Sequence, residues 1–196
     1  HKLMVKPTHR CNFNCAYCYD KQYEQVGDMS LETVERIAHL FTKGGTETVL
    51  WIWHGGEPLL MSDEFYGESY KILQKYNINH VSMQSNGSLL TRSKLDWLKK
   101  FNWNISFSFD GIDHDVTRES SKSVLLSILL HNIERGPASV ITVVDGNNVK
   151  NLSANYEFFK SKGIRSFQFN RVFDAEGATL LDSKMDEYFQ EYATLL

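Results

Sequence analysis

An α/β fold built around a parallel sheet is what this chain predicts, on two observations. Short β-branched and aromatic runs alternate six times with segments of helical period, the pattern of strands joined by helical crossovers. Four of the loops that follow those runs carry residues that bind ligands or turn tightly: the cysteine loop 11–18, Gly55-Gly56-Glu57-Pro58, Ser85-Asn86-Gly87 and Asp110-Gly111. In parallel sheets, open or closed, ligands gather at the C-terminal strand ends, so one rim collects all four. With right-handed crossovers two closures compete, an open doubly wound sheet and a barrel that stops at six units. Periodicity does not choose between them.

In chain order, 3–6 reads as a short strand that ends at Pro7, and the cysteine loop follows. Ser30 caps a helix whose Val34, Ile37, Ala38 and Phe41 fall at helical spacing and which Gly44-Gly45 stops. Residues 46–53 are β-branched and aromatic, hence a strand. Helical spacing returns over 63–75 with Phe65, Tyr66, Tyr70, Ile72 and Leu73, and 81–84 forms a third strand. Thr91 caps a helix reaching Phe101, with Leu95, Trp97 and Leu98 inside. A fourth strand, 105–109, alternates apolar residues with serine, which puts Ser106, Ser108 and Asp110 on one face. A leucine-rich helix over 123–134 ends at Gly136-Pro137, and 139–144 is a strand. The spacing then predicts a helix over 149–162 stopped by Gly163, a strand over 166–170, and a last helix over 182–196 with Met185, Tyr188, Phe189 and Tyr192.

The chain has 196 residues, enough for one domain with a sizeable core. Its 21 basic and 24 acidic residues leave a net charge of −3, which argues against a nucleic-acid partner and a polybasic membrane signal. No apolar run approaches the ~20 residues that span a bilayer. Nothing reads as a signal peptide, and a start at His1 rather than Met is expected of an excerpt from a longer protein. Reduced cysteines fit a cytoplasmic setting. The 13% aromatic share is high and has no compositional explanation.

All three cysteines, Cys11, Cys15 and Cys18, lie in eight residues at the spacing C-x3-C-x2-C. An odd number so close in sequence makes no disulfide framework. Soft sulfur ligands suit zinc or an iron–sulfur cluster. A closed zinc site wants four ligands, and His9 or His54 would have to complete a Cys3His set. A [4Fe–4S] cluster normally takes four thiolates, so three would leave one iron open to a ligand.

This loop, with Tyr17 before its last cysteine, resembles the cluster loop of radical S-adenosylmethionine enzymes. The likeness runs along nearly the whole chain: K-P-T-x-x-C-N-x-x-C-x-Y-C, W-H-G-G-E-P-L, Q-S-N-G-S-L-L, S-F-D-G and I-T-V-V. It implies a partial (β/α)6 TIM-like barrel and so chooses between the two closures. It also implies that Cys11, Cys15 and Cys18 hold a [4Fe–4S] cluster whose open iron chelates S-adenosyl-L-methionine. Reductive cleavage then yields a 5'-deoxyadenosyl radical that abstracts a hydrogen atom.

Further roles follow from the same resemblance, each beside a plainer alternative. Gly55, Gly56 and Glu57, with Pro58 as stiffener, match the segment that holds the methionine amino group, though Gly-Gly with Pro also makes an ordinary turn. Ser85 and Asn86 match a cofactor-contacting segment, though Asn-Gly is a common turn. Ser108 and Asp110, in Ser108-Phe109-Asp110-Gly111, are both expected to bind the cofactor, with the serine near its carboxylate or ribose. Asp115-Val116-Thr117-Arg118 resembles a D-x-x-R stretch, and an arginine fork suits a carboxylate; a solvated loop arginine is the alternative. Tyr17, Val143 and Phe169 are candidates for the adenine surroundings, although most apolar strand residues are core.

Within that family the pattern is similar to the peptide- and protein-modifying branch, which includes anaerobic sulfatase-maturating enzymes and peptide maturases. Residues 1–196 would then be the core domain, and the cysteine-rich SPASM or twitch extension with its auxiliary clusters is not in this chain. The expected partners are a peptide or protein substrate and an external flavodoxin- or ferredoxin-like electron donor, with oxidation, cross-linking or epimerisation as outcome. No residue is assigned as the catalytic acid or base. Two other readings are a radical enzyme acting on a small metabolite and a zinc-stabilised α/β binding module.

Overall fold

The computed structural model describes residues 1–43, 45, 48–172 and 184–194. Its strands are β1 (Lys2–Thr8), β2 (Leu50–Gly55), β3 (His80–Ser85), β4 (Asn104–Ser108), β5 (Ser139–Val144) and β6 (Ser166–Arg171). They form one sheet in the order β1-β2-β3-β4-β5-β6. The β1–β2, β2–β3 and β5–β6 pairs are parallel. A spatial order equal to the chain order has no point of reversal, which rules out the doubly wound alternative. The helices are α1 (Leu31–Thr42), α2 (Asp63–Lys75), α3 (Arg92–Lys100), α4 (His114–Thr117), α5 (Ser121–Arg135), α6 (Leu152–Ser161) and α7 (Met185–Ala193).

The chain divides into two compact units. One comprises 1–12, 20–85 and 89–106; the other comprises 13–19, 86–88 and 107–196. In the first, Val5, Trp53 and Met83 lie in one row across β1, β2 and β3, all buried. The next row on the opposite face holds Met4, Ile52 and Ser82, which are exposed or half-buried. The helix-facing row is therefore the core, and all four of the chain's tryptophans pack in this unit. Trp53 meets Tyr66 of α2 edge-on at 5.6 Å and Trp51 at 5.1 Å, and Tyr66 stacks on Trp97 of α3 at 5.3 Å. Such pairs add about 0.5–1.5 kcal/mol each beyond area burial.

In the second unit Phe107, Phe109, Val140, Thr142 and Val144 are buried, with Val124 and Ile128 of α5 and Phe159 of α6. The β5–β6 register aligns Thr142 with Phe169 and Val143 with Asn170. Phe169 accordingly leaves the sheet toward α6, packing on Val144, Val149 and Leu152 and lying 6.4 Å from the Phe159 ring.

Several element ends differ from the sequence expectation. Strand β1 runs through Pro7 to Thr8. It is the first strand of the sheet order, and an edge strand tolerates a residue without an N–H; the Pro7 carbonyl accepts from Met29 at 2.7 Å. Strand β2 begins at Leu50, where its ladder with Lys2 and His80 begins, rather than at Thr46. Thr46, Gly44 and residues 182–183 and 195–196 lie outside the described residues. Strand β4 stops at Ser108; Asp110, with φ −95° and ψ 20°, has left the strand and does not continue the row of Ser106 and Ser108. Residues Val149–Asn151 form a 3-10 turn before α6.

Candidate functional site

The first unit contributes a turn made of backbone. At the end of β2, Gly55 has φ +117°, which side-chain-bearing residues rarely adopt. A Cβ on Gly56 would run into the carbonyl oxygens of His9 and Arg10, and one on Gly55 into that of Thr8. Those close approaches hold the turn to the end of β1 through hydrogen bonds from Gly56 to Thr8 (3.0 Å) and from Glu57 to Arg10 (2.8 Å). Pro58 then begins a 3-10 turn, Pro58–Leu60, where its missing N–H costs nothing. The Glu57 carboxylate is fully buried and faces inward, its Oε1 accepting from Leu59 N at 2.8 Å and from Ser85 Oγ at 2.7 Å. Nearby, Asp20 is buried between Lys6 Nζ (2.6 Å) and His9 Nδ1 (3.0 Å). His54 accepts from the Gly55 N–H at 2.8 Å, and burial, then Lys6, push its pKa down while Asp20 pulls it up.

The second unit contributes an arrangement made of charge. Cys15 is buried, its thiol pushed up by burial and drawn down by Arg118. The loop is pinned by hydrogen bonds from Cys18 N to Cys15 O (3.2 Å) and from Ala16 N to Thr117 O (3.3 Å). Asp110 is fully buried. Its Oδ2 accepts from Tyr17 Oη (2.8 Å), Thr117 Oγ1 (2.7 Å) and Arg118 Nε (2.8 Å), and its Oδ1 from Val143 N (2.9 Å). The Arg118 guanidinium lies over the Tyr17 ring at 5.2 Å and brings Nη1 to 4.0 Å from Cys15 Sγ. Burial disfavours the Arg118 charge, yet Asp110, Tyr17 and Cys15 together outweigh it and the pKa rises. Burial, with Asp110, raises the Tyr17 pKa far above its usual value, so the hydroxyl stays a donor.

The structure thus gathers Gly55, Gly56, Glu57, Pro58 and Ser85 in one unit, and Cys15, Tyr17, Asp110, Arg118 and the Val143 backbone in the other. Asn86 folds back on its own turn, accepting from Ser88 N at 2.9 Å and Ser88 Oγ at 2.7 Å. Ser108 is half-buried at the end of β4. Arg118 is not the solvated loop arginine, since its side chain is only 10% exposed. Asp115 is a surface group that accepts from Ser121 N at 2.8 Å. Val143 and Phe169 leave opposite faces of the sheet, so their side chains do not share an adenine pocket.

Sequence reasoning missed Thr117, and it missed His114, which is fully buried and accepts from Asp110 N at 3.1 Å. Position in the D-x-x-R stretch was the only signal for Thr117. Among the described residues no three His, Cys, Asp or Glu side chains converge closely enough to hold an ion, neither the three cysteines nor a Cys3His set. No disulfide joins the three cysteines, and their fit to a cluster rests on donor chemistry and spacing.

A family model of the Radical SAM superfamily matches residues 5–159. The chain belongs to that superfamily, whose members use a [4Fe–4S] cluster and S-adenosylmethionine. It is 26% identical over 186 residues to a cysteine-type anaerobic sulfatase-maturating enzyme of Clostridium novyi, covering 85% of this chain and 50% of that protein. To a serine-type enzyme of Bacteroides thetaiotaomicron it is 29% identical over 189 residues, covering 85% and 45%. It therefore spans about half the length of these relatives. A solved structure of anSMEcpe with bound AdoMet superposes with a TM-score of 0.83 at 23% identity, covering 99% of this chain and 58% of that one. Streptococcus suis SuiB bound to its precursor peptide SuiA gives a TM-score of 0.73 at 16% identity, covering 99% and 46%. These likenesses carry the fold, the partial (β/α)6 barrel of radical SAM proteins. Among the described residues no helix is long and apolar enough to cross a membrane.

Proposed function

We propose that this chain is the S-adenosylmethionine-cleaving core of a radical enzyme that modifies a peptide or protein. The observation that carries the reading is Arg118, fixed by buried Asp110, stacked on Tyr17 and 4.0 Å from the sulfur of Cys15 in the loop that holds all three of the chain's cysteines. Cluster and cofactor together supply a 5'-deoxyadenosyl radical, the means to break a C–H bond that acid–base chemistry does not reach.

The chain's own residues bind and orient. Cys11, Cys15 and Cys18 ligate iron. The turn Gly55-Gly56-Glu57 offers backbone to the methionine amino group, with Pro58 setting its exit. Arg118 and Ser108 would hold the carboxylate and ribose, and Ser85 and Asn86 would add cofactor contacts from the end of β3. Tyr17 and Val143 flank the adenine. The peptide class of substrate is supported by the relatives that mature sulfatases and by the SuiB complex with a precursor peptide. An external flavodoxin- or ferredoxin-like protein delivers the electron.

Anaerobic reconstitution with iron and sulfide, then reductant and S-adenosylmethionine, tests the first half. The expected product is 5'-deoxyadenosine, and a colourless zinc-loaded protein that releases none would sink the proposal. A mass change in a candidate peptide tests the second half; turnover with only a small metabolite would move the substrate class.

A further inference from the structure

We infer that Asp110 is a positioning residue that does not contact the cofactor. Through its ion pair with Arg118 it fixes the charge felt at Cys15 and so sets the reduction potential of the centre held there. This rests on the reading of Cys11, Cys15 and Cys18 as iron ligands.

The carboxylate is fully buried and already accepts from Tyr17, Thr117, Arg118 and Val143 at 2.7–2.9 Å. Oδ2 takes three of these donors and Oδ1 one, and the side chain has no exposed face to offer a ligand. Those partners come from three separate pieces of the second unit: the cysteine loop, the α4 end and β5. One anion therefore ties the loop to the strand ends.

The asymmetry of the pair supplies the electrostatic consequence. Arg118 spends Nε on Asp110 and turns Nη1 to the Cys15 sulfur, so the cation is the partner in contact with the thiol. Removing either charge alone leaves the other buried and uncompensated, which costs more than removing both. A unit charge within several ångströms of a buried sulfur acts on it strongly, because little water lies between to screen it.

The test is an EPR-monitored redox titration of the iron-loaded full chain without S-adenosylmethionine, comparing wild type, D110N, R118Q and D110N/R118Q. D110N leaves a bare cation and should raise the midpoint; R118Q leaves a bare anion and should lower it. Each shift should be about tenfold in the reduced-to-oxidised ratio, ~60 mV for a one-electron couple. The double variant should return near the wild-type value.

Looser packing would move both single variants the same way, and such a result, or no shift in either, overturns the inference. If D110N fails to keep iron, the double variant decides: a midpoint near wild type supports the pair, and one displaced with R118Q overturns it. Iron loss in all three variants also overturns it, leaving the pair a folding device. A wild-type chain that takes up no cluster is a failure of the proposed function instead, and it is seen before any variant is measured.

Discussion

The turn after β2 and the arrangement around Asp110 both hold groups rigid at strand ends, by opposite means. The first is steric. Gly55 and Gly56 sit against the carbonyls of Thr8, His9 and Arg10 with room only for hydrogen, and the one charged side chain, Glu57, is turned inward. The second is electrostatic, a carboxylate with four donors and a guanidinium pressed between a sulfur and a ring. A steric site should fail on the smallest added volume. An electrostatic site should tolerate changes of shape and fail on changes of charge or protonation.

The largest effect should come from G56A. Its Cβ meets backbone oxygens, which cannot rotate away, so the loss should exceed about 3 kcal/mol, the upper end of overpacking costs. Urea denaturation measures it, with G67A as the control inside α2. Nothing lies within 4 Å of a Cβ on Gly67, so alanine there should stabilise by about 0.5–1 kcal/mol. A mild G56A would remove the steric half of the contrast.

Acid should find the second region next. Burial holds the His114 pKa down at about 4, Asp110 opposing and Arg118 adding to it, and the neutral Nδ1 accepts from the Asp110 N–H. The unfolded chain binds a proton near pH 6.5, so it holds more protons than the native state between about 6.5 and 4. Stability is then fully present above that window and declines as pH falls through it, by about 3 kcal/mol for this group. Urea midpoints at pH 7 and 4.5 should converge in H114Q relative to wild type; equal slopes would break the assignment.

Phe169 and Val143 separate packing from site. F169A should cost about 2 kcal/mol, below the range for a fully buried phenylalanine, because the ring is half-buried against α6. S-adenosylmethionine affinity should hold. V143A should cost under about 1 kcal/mol and weaken that affinity instead, as equilibrium dialysis would show.

These residues also mark what could be read along the chain. Ser30 and Thr91 were visible as helix caps, and α2 and β5 end where the periodicity places them, since caps and helical period are local. The face taken by Val143 or Phe169 was not local. Both sit in apolar strands, and only the β5–β6 register decides which one meets a helix. Alternation makes Asp110 the next member of the Ser106 and Ser108 row, whereas the chain bends after Ser108 and the carboxylate turns onto Val143 N. Thr117 and His114 carry no pattern of their own; their function exists only once Asp110 is buried beside them. The Gly-Gly turn is legible because its backbone geometry is local, and the cysteines are legible as a spacing alone.

The smallest effect, and the finest test of the contrast, is E57Q. The amide keeps an oxygen where Oε1 accepts from Leu59 N and Ser85 Oγ, so the 3-10 turn stays capped and stability should fall by no more than about 1 kcal/mol. What the substitution removes is charge. If the turn presents backbone to the cofactor's ammonium, S-adenosylmethionine affinity should change less than about threefold, roughly 0.6 kcal/mol. If the carboxylate itself receives that ammonium, the loss should reach tenfold or more, as for a charge-assisted bond. A tenfold loss at unchanged stability would make both regions charge sites, leaving Gly55 and Gly56 as the means of bringing Glu57 to its place.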